Sequence, residues 1–286
     1  RVAAGAVAVV GAAVRGAGVA TGGSTRGVGR EGYQSSRVEV IRRTCREARY
    51  DDINSSFPFS ATKPVPGELR RVSRSWDGSE LAMVRARVRV PDCYLPPLPY
   101  RAPKGGIFYP TGEWEGVFTG LDLVEASARG VEILSTSKAL HFEPWHDLAQ
   151  YMLDVYERRK KAIASGDEIL SYFLKLLLNC LYGKLGEKPE KAKLLLRPER
   201  VPKGAELLFP DMWSVKERRP IPHEHVPAPA VIVARSRFLL LSYMEQAIEL
   251  GGAVYYCDTD SIVYSGCVLP TGSELGQLKH VCAIRE

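Results

Sequence analysis

Hydrophobic positions along this chain follow two periods, and each predicts a different element. From His146 to Ala164, Leu148, Tyr151, Met152, Val155 and Tyr156 keep the i, i+3, i+4, i+7 spacing of an amphipathic helix, and the same stripe continues to Arg159. A second stripe follows at Leu174, Leu177, Leu178, Leu181 and Leu185, with Lys175, Asn179 and Tyr182 clustered beside it. Ser165-Gly166-Asp167 breaks the pattern between them. The chain is therefore expected to reverse there and the two helices to pack antiparallel, bringing Arg159 and Lys160 near Lys175. Helical patterning resumes at Ala234 to Glu249. Period two appears in Val84-Arg85-Ala86-Arg87-Val88-Arg89-Val90, a strand with one basic, solvent-facing side. Val254 to Cys257 and Ile262 to Tyr264 are rich in β-branched and aromatic residues and predict two short strands joined by an acidic turn.

Punctuation divides the rest. Pro91 to Pro103 ends the alternating strand, and Gly105-Gly106 to Gly112 predicts a turn and a short hairpin. Lys188 to His225 is polar, charged and proline-bearing, and reads as a second insertion or long loop. Residues 1–30 contain no acid and are mostly Ala, Gly and Val punctuated by Arg, the composition of a flexible leader. The apolar run after Arg1 is too short to span a membrane. There is no internal repeat.

Candidate chemistry sits at three places. In Tyr255-Tyr256-Cys257-Asp258-Thr259-Asp260-Ser261, alternation in an extended segment sends Asp258 and Asp260 to the same side. Two crowded carboxylates repel, and a divalent cation keeps both ionised; a solvated turn is the competing reading, since Asp and Thr are ordinary turn residues. Tyr50-Asp51-Asp52-Ile53-Asn54-Ser55-Ser56-Phe57-Pro58 sets an acid before polar residues, an aromatic and a proline. Arg158, Arg159, Lys160 and Lys161 end the first helix in a cationic cluster, which suits either the helix dipole or, converging with Lys175, a triphosphate.

Net charge and cysteine usage narrow the partners. A formal charge of +6 and a pI near 9.0 favour an anionic partner, though many proteins that never meet nucleic acid share that balance. Six cysteines are scattered with no Cys-x-x-Cys pair, which argues against a zinc site and for an intracellular reducing compartment.

Asp52-Ile53-Asn54-Ser55 with Phe57-Pro58, then Lys175-x-x-x-Asn179 with Tyr182-Gly183, then Tyr256-x-Asp258-Thr259-Asp260-Ser261 resemble, in order, the three polymerase motifs of family B DNA polymerases. The likeness is to the protein-primed branch of phages and organellar linear plasmids. Tyr33-Gln34-Ser35-Ser36-Arg37-Val38-Glu39 resembles its tyrosine and double-glycine element, Gly112 to Phe118 part of its insertion, Arg235-Ser236-Arg237 the basic position of the helix before the third motif, and Leu275-Gly276 a pair after it. Ser35 and Ser36 stand where the family has glycine-type residues, Cys180 replaces a serine, and Phe57 a tyrosine.

The resemblance implies an α+β fold: an antiparallel polymerase palm backed by helices, with a two-helix fingers element and an insertion. Its divisions are a flexible leader (1–31), palm (32–62 and 226–286), an insertion (63–145), fingers (146–187) and a loop or second insertion (188–225). It implies two Mg²⁺ ions, with Asp52 and Asp260 as direct ligands and Asp258 as third acid. Arg159, Lys160, Lys175 and Asn179 would hold the nucleotide, Phe57 would form a steric wall against a 2′ hydroxyl, Tyr182 would pack beside it, and Tyr33, Arg37 and Gly183 would contact DNA. Partners would be primer-template DNA, dNTPs and a terminal priming protein, with no membrane, in bacterial or phage-infected cytoplasm or a mitochondrion. With 51 residues before Asp52 and 26 after Asp260, the chain reads as a palm and fingers fragment without exonuclease domain or thumb. Two rivals remain: a non-catalytic nucleic-acid-binding remnant, and a reverse transcriptase or RNA polymerase, which commonly place the two hairpin acids side by side, whereas Thr259 separates them here.

Overall fold

The structure is a computed structural model that describes residues 23–103, 105–218 and 224–285. It opens with helix α1 (Gly23–Glu31), strands β1 (Val38–Val40) and β2 (Glu47–Ile53), and the short helix α2 (Ser56–Ser60). Next come β3 (Val65–Ser73), β4 (Ala82–Val90), the small hairpin β5 (Tyr100–Arg101) and β6 (Ile107–Phe108), β7 (Gly112–Thr119), α3 (Gly120–Ser127) and β8 (Glu132–Trp145). Two helices, α4 (Asp147–Ala164) and α5 (Glu168–Leu185), precede β9 (Glu190–Leu196), β10 (Glu206–Phe209) and β11 (Met212–Arg218). Helix α6 (Pro227–Glu249), β12 (Ala253–Asp258), β13 (Ser261–Ser265) and β14 (Leu278–Arg285) complete the chain.

The fold is α+β. Five strands in the order β1-β12-β13-β2-β14, all paired antiparallel, make the sheet that carries the acids. Its buried face (Ile53, Val254, Ile262, Tyr264) packs on Phe238, Leu241 and Met244 of α6. This helix starts two turns before the amphipathic pattern predicts. Pro227 and Pro229 sit in its first turn, where a missing N–H costs little. Ala228, Ala230, Val231 and Ile232 are all buried there, so no polar stripe marks the turn as helical.

A second sheet, β3-β8-β4-β7, contains the alternating strand. Val84, Ala86, Val88 and Val90 are buried, as the period predicts, and the three arginines face outward. Helix α3 closes this unit through a capping box between Thr119 and Asp122. The other oxygen of Asp122 accepts from Arg237 of α6 at 2.6 Å, with both side chains buried, so one ion pair joins the two sheets' supporting helices.

The hairpin of α4 and α5 forms as expected. Gly166 turns it in the left-handed region (φ +74°), and the Asp167 carboxylate caps α5 by accepting from the Leu170 N–H at 2.9 Å. Leu148, Met152 and Val155 meet Leu174, Leu178 and Leu185 in one buried cluster; the side chain of Leu181 lies outside the described residues.

Two expectations need correction. Of the two readings of 188–225, a loop or a second insertion, the loop is the one corrected: the stretch folds into a three-stranded antiparallel sheet, β10-β11-β9, with 219–223 outside the described residues. Leu194, Leu196, Leu207 and Phe209 are exposed on it. With no buried face of its own, the strands lack the alternation that reveals a strand. Of the flexible leader, residues 1–22 lie outside the described residues, but 23–31 form α1, whose Val28 is buried against Met83 and Ala230. No helix among the described residues is long and apolar enough to cross a membrane.

Candidate active site

Strand β2 delivers two consecutive acids to opposite faces. Asp51 is fully buried and accepts from the Tyr264 hydroxyl at 2.5 Å, with His280 Nδ1 at 2.7 Å. Asp52 therefore points the other way. It sits in register opposite Ser261 of β13 and Lys279 of β14. Just beyond the strand, Ser55 takes a left-handed φ of 50°, and Thr259 takes 60° at the hairpin tip. Non-glycine residues rarely hold that conformation unless their surroundings impose it. At Thr259 the surroundings are visible: its N–H donates to the Arg37 carbonyl at 2.8 Å.

That tip corrects the expected alternation. Asp260 N–H donates to the Asp258 carbonyl at 2.6 Å, and Ile53 N–H donates to the Asp260 carbonyl at 2.7 Å, so the acids lie across a tight turn rather than along an extended strand. Only Asp260 turns into the cleft beside Asp52. Asp258 is exposed, and its carboxylate accepts from the Tyr256 and Thr259 hydroxyls at 3.2 and 2.9 Å. Burial, then the neighbouring charge of Asp52, pushes the Asp260 carboxyl up to about 6.

The cleft has a volume of about 660 Å³. Asp52, Asp260 and Lys279 line one side, while Arg159 and Lys160 of α4 and Lys175 and Asn179 of α5 line the other. Among the described residues neither Arg159 nor Lys175 has a carboxylate partner, and Arg159 Nε is buried without a hydrogen bond. Lys160 differs: it lies 3.3 Å from Glu274, whose hydrogen bond holds its ammonium above the usual lysine range. Phe57 lines the floor and stacks on Tyr182 with ring centroids 4.8 Å apart. Burial pushes the Tyr182 phenol up to about 12.

The three residues expected to contact DNA have separate surroundings. Gly183 is exposed with open space around its Cα. Tyr33 is half-buried against Gly186, where an added Cβ would come within 2.7 Å of the ring, and burial raises its phenol. Arg37 is a correction. It is buried at 1% exposure, its guanidinium donates to Glu39 and to the Pro96 carbonyl, and it stacks 4.1 Å over Tyr109. Buried and already bonded to protein through all three nitrogens, the guanidinium presents no surface to a phosphate; the residue braces the strand that supports Thr259.

Asn54, Glu274 and Lys279 line the cleft without having been singled out in the sequence. Asn54 Nδ2 donates to the Gly272 carbonyl, and its backbone pairs with Gln277 and Gly276, tying the 272–277 loop to the acid-bearing strand. Gly276, at φ +79°, lies so close to Phe59 that a Cβ would come within 2.7 Å. Only β-sheet register brings Lys279 to Asp52, which no local pattern encodes.

Among the described residues no group of three or more His, Cys, Asp or Glu side chains forms a ready cage for a cation. Two carboxylates in a cleft lined by unpaired cations nevertheless suit magnesium, which binds one or two carboxylates and completes its shell with water and substrate phosphates. A different constellation, Ser73, His141 and Asp77, has the members of a hydrolytic triad without its chemistry. The Ser73 hydroxyl donates to the Ser75 carbonyl at 2.5 Å, so at 2.9 Å it accepts from His141 Nε2 rather than losing a proton to it.

Comparison with known proteins agrees with this geometry. A probable DNA polymerase of Podospora anserina is 27% identical over 301 aligned residues, covering 89% of this chain and 24% of that protein. Another, from Ascobolus immersus, is 25% identical and covers 90% of this chain and 23% of its own length. This chain thus spans about a quarter of those relatives. In fold it is similar to Phi29 DNA polymerase in its ternary complex with primer-template DNA and incoming nucleotide substrates, with a TM-score of 0.71 at 17% identity over 92% of this chain and 48% of that one. The family described as DNA polymerase type B, organellar and viral, matches residues 30–201. The chain belongs to the organellar and viral type B DNA polymerases.

Proposed function

We infer that this chain is the palm and fingers part of a template-directed DNA polymerase, with 146–187 as fingers and 63–145 as insertion. It transfers dNTPs by two-metal chemistry onto a primer 3′ hydroxyl or, in keeping with the protein-primed likeness, onto a hydroxyl of a terminal protein. The observation that carries this reading is the cleft itself: Asp52 and Asp260 face Arg159 and Lys175 across about 660 Å³, with no carboxylate among the described residues neutralising those cations.

Each residue has work that its chemistry suits. Asp52 and Asp260 would hold magnesium, which when bound supplies the positive charge that activates a hydroxyl and stabilises a leaving pyrophosphate. Asp258, turned to the hydroxyls of Tyr256 and Thr259, would act on Asp260 through the field of its charge. Arg159 offers a bidentate fork and Lys175 a point charge to the triphosphate, and Asn179 an amide to the nucleotide. Phe57, backed by Tyr182, presents a flat apolar wall at the cleft floor. The six cysteines are all free, which accords with a reducing compartment.

The test is magnesium-dependent dNTP incorporation on a primed template. Asp260→Ala is expected to lower the rate by roughly a thousandfold or more, and Lys175→Ala by roughly ten- to a hundredfold, mainly through KM for dNTP. DNA binding without incorporation, indifferent to both substitutions, would favour a non-catalytic remnant instead.

A further inference from the structure

The geometry points to Lys279 as a tethered counter-ion of the acid pair, one that competes with a divalent cation for Asp52. This rests on the polymerase reading of the cleft and adds a residue to it.

The ammonium of Lys279 lies 2.8 Å from Asp52 Oδ1 and faces the same cleft as Asp260. Its placement follows from the sheet. Lys279 is directly opposite Asp52 in the β14–β2 register, and its neighbour Leu278 is fully buried in the core, which fixes the strand's phase. On its other side, His280 anchors the same strand to the buried Asp51. The backbone that presents Lys279 is thus held at the positions on either side of it, while its side chain remains 51% exposed.

Its charge goes to the acids, unlike that of the other cleft cations. Lys160 is engaged by Glu274, and Arg159 and Lys175 stand on the far wall without a carboxylate. Two carboxylates sharing a cleft repel each other. A lysine across the strand pair offsets that repulsion when no cation is bound, at the cost of a contact a cation must break. A solvent-screened lysine–carboxylate contact is weak enough to be exchanged for a cation. Removing the ammonium both frees Asp52 and leaves the cleft one charge more negative.

The experiment measures Mn²⁺ affinity of the 286-residue chain without nucleotide, by electron paramagnetic resonance, for wild type, Lys279→Met, Lys279→Arg and Asp52→Asn. Lys279→Met is expected to bind Mn²⁺ roughly three- to tenfold more tightly, Lys279→Arg to stay near wild type, and Asp52→Asn to lose binding. A merely structural lysine would weaken the site when removed. If Lys279→Met binds equally or less tightly while Asp52→Asn abolishes binding, the counter-ion role is overturned and the metal site stands. If neither wild type nor Lys279→Met binds Mn²⁺, both the role and the two-metal reading are overturned.

Discussion

The acid-bearing sheet and the alternating sheet beside it handle charge in opposite ways. On the alternating sheet, Arg85 pairs with Glu31 and Glu115, Arg87 with Glu113, and Arg89 with Glu113 and Glu132. Its basic face is closed on itself. Across the cleft, Arg159 and Lys175 have no carboxylate partner among the described residues, and Asp52 and Asp260 share the counter-charge of Lys279. Side by side, the two regions teach that a row of arginines is no evidence for a phosphate-binding surface until its carboxylates are counted. Positive charge that can do chemistry is charge the fold leaves without an internal partner.

The two regions are joined by the buried Arg237–Asp122 pair, so breaking it gives the largest expected effect. Arg237→Met leaves Asp122 uncompensated in the interior and is expected to cost about 3–5 kcal/mol, read as a lowered midpoint in urea unfolding. The double variant Arg237→Met with Asp122→Leu should recover much of that loss. Failure of the second substitution to help would mean that the bonds from Arg237 to the carbonyls of Gln34 and Ser35, or the cap that Asp122 gives α3, outweigh the charge pair.

A smaller effect is expected at His225, which is buried between the sheet and the fingers, with Nε2 2.7 Å from the Pro66 carbonyl. Burial holds its imidazole below the ordinary value of 6.5. The unfolded chain therefore takes up a proton first as pH falls, and stability drops as pH falls below about 6.5. Thermal melts from pH 8 to pH 5 should show that slope in wild type and a shallower one in His225→Gln.

The smallest effect sharpens the comparison most. Replacing Arg85, Arg87 and Arg89 together by Gln should leave the unfolding midpoint almost unchanged, because each pair is screened by solvent. The salt dependence of DNA binding should not change. Lys175→Gln, in contrast, is expected to lower KM-linked nucleotide affinity. A reduced salt slope in the triple variant would show that those arginines do meet phosphates.

Much of the site was legible because its motifs are local. The Leu174, Leu178 and Leu185 stripe really is buried, and this turns Lys175 and Asn179 to the cleft wall. Arg159 continues the apolar stripe of α4 and lines the same cleft. Arg37 misled for a physical reason: a buried guanidinium that braces a turn and one that meets DNA look alike in one dimension. The 190–218 sheet was illegible because its strands bury no face, and the first turns of α6 because they bury every face.

Periodicity and motif order by themselves determined the helical hairpin, the alternating strand and the acidic turn, since each depends on neighbours within a few residues. Only the tertiary structure decided which acid enters the cleft, which cations stay unpaired, and that a lysine on the last strand meets Asp52. Those outcomes depend on strand register and burial, which are set by contacts between residues about two hundred positions apart.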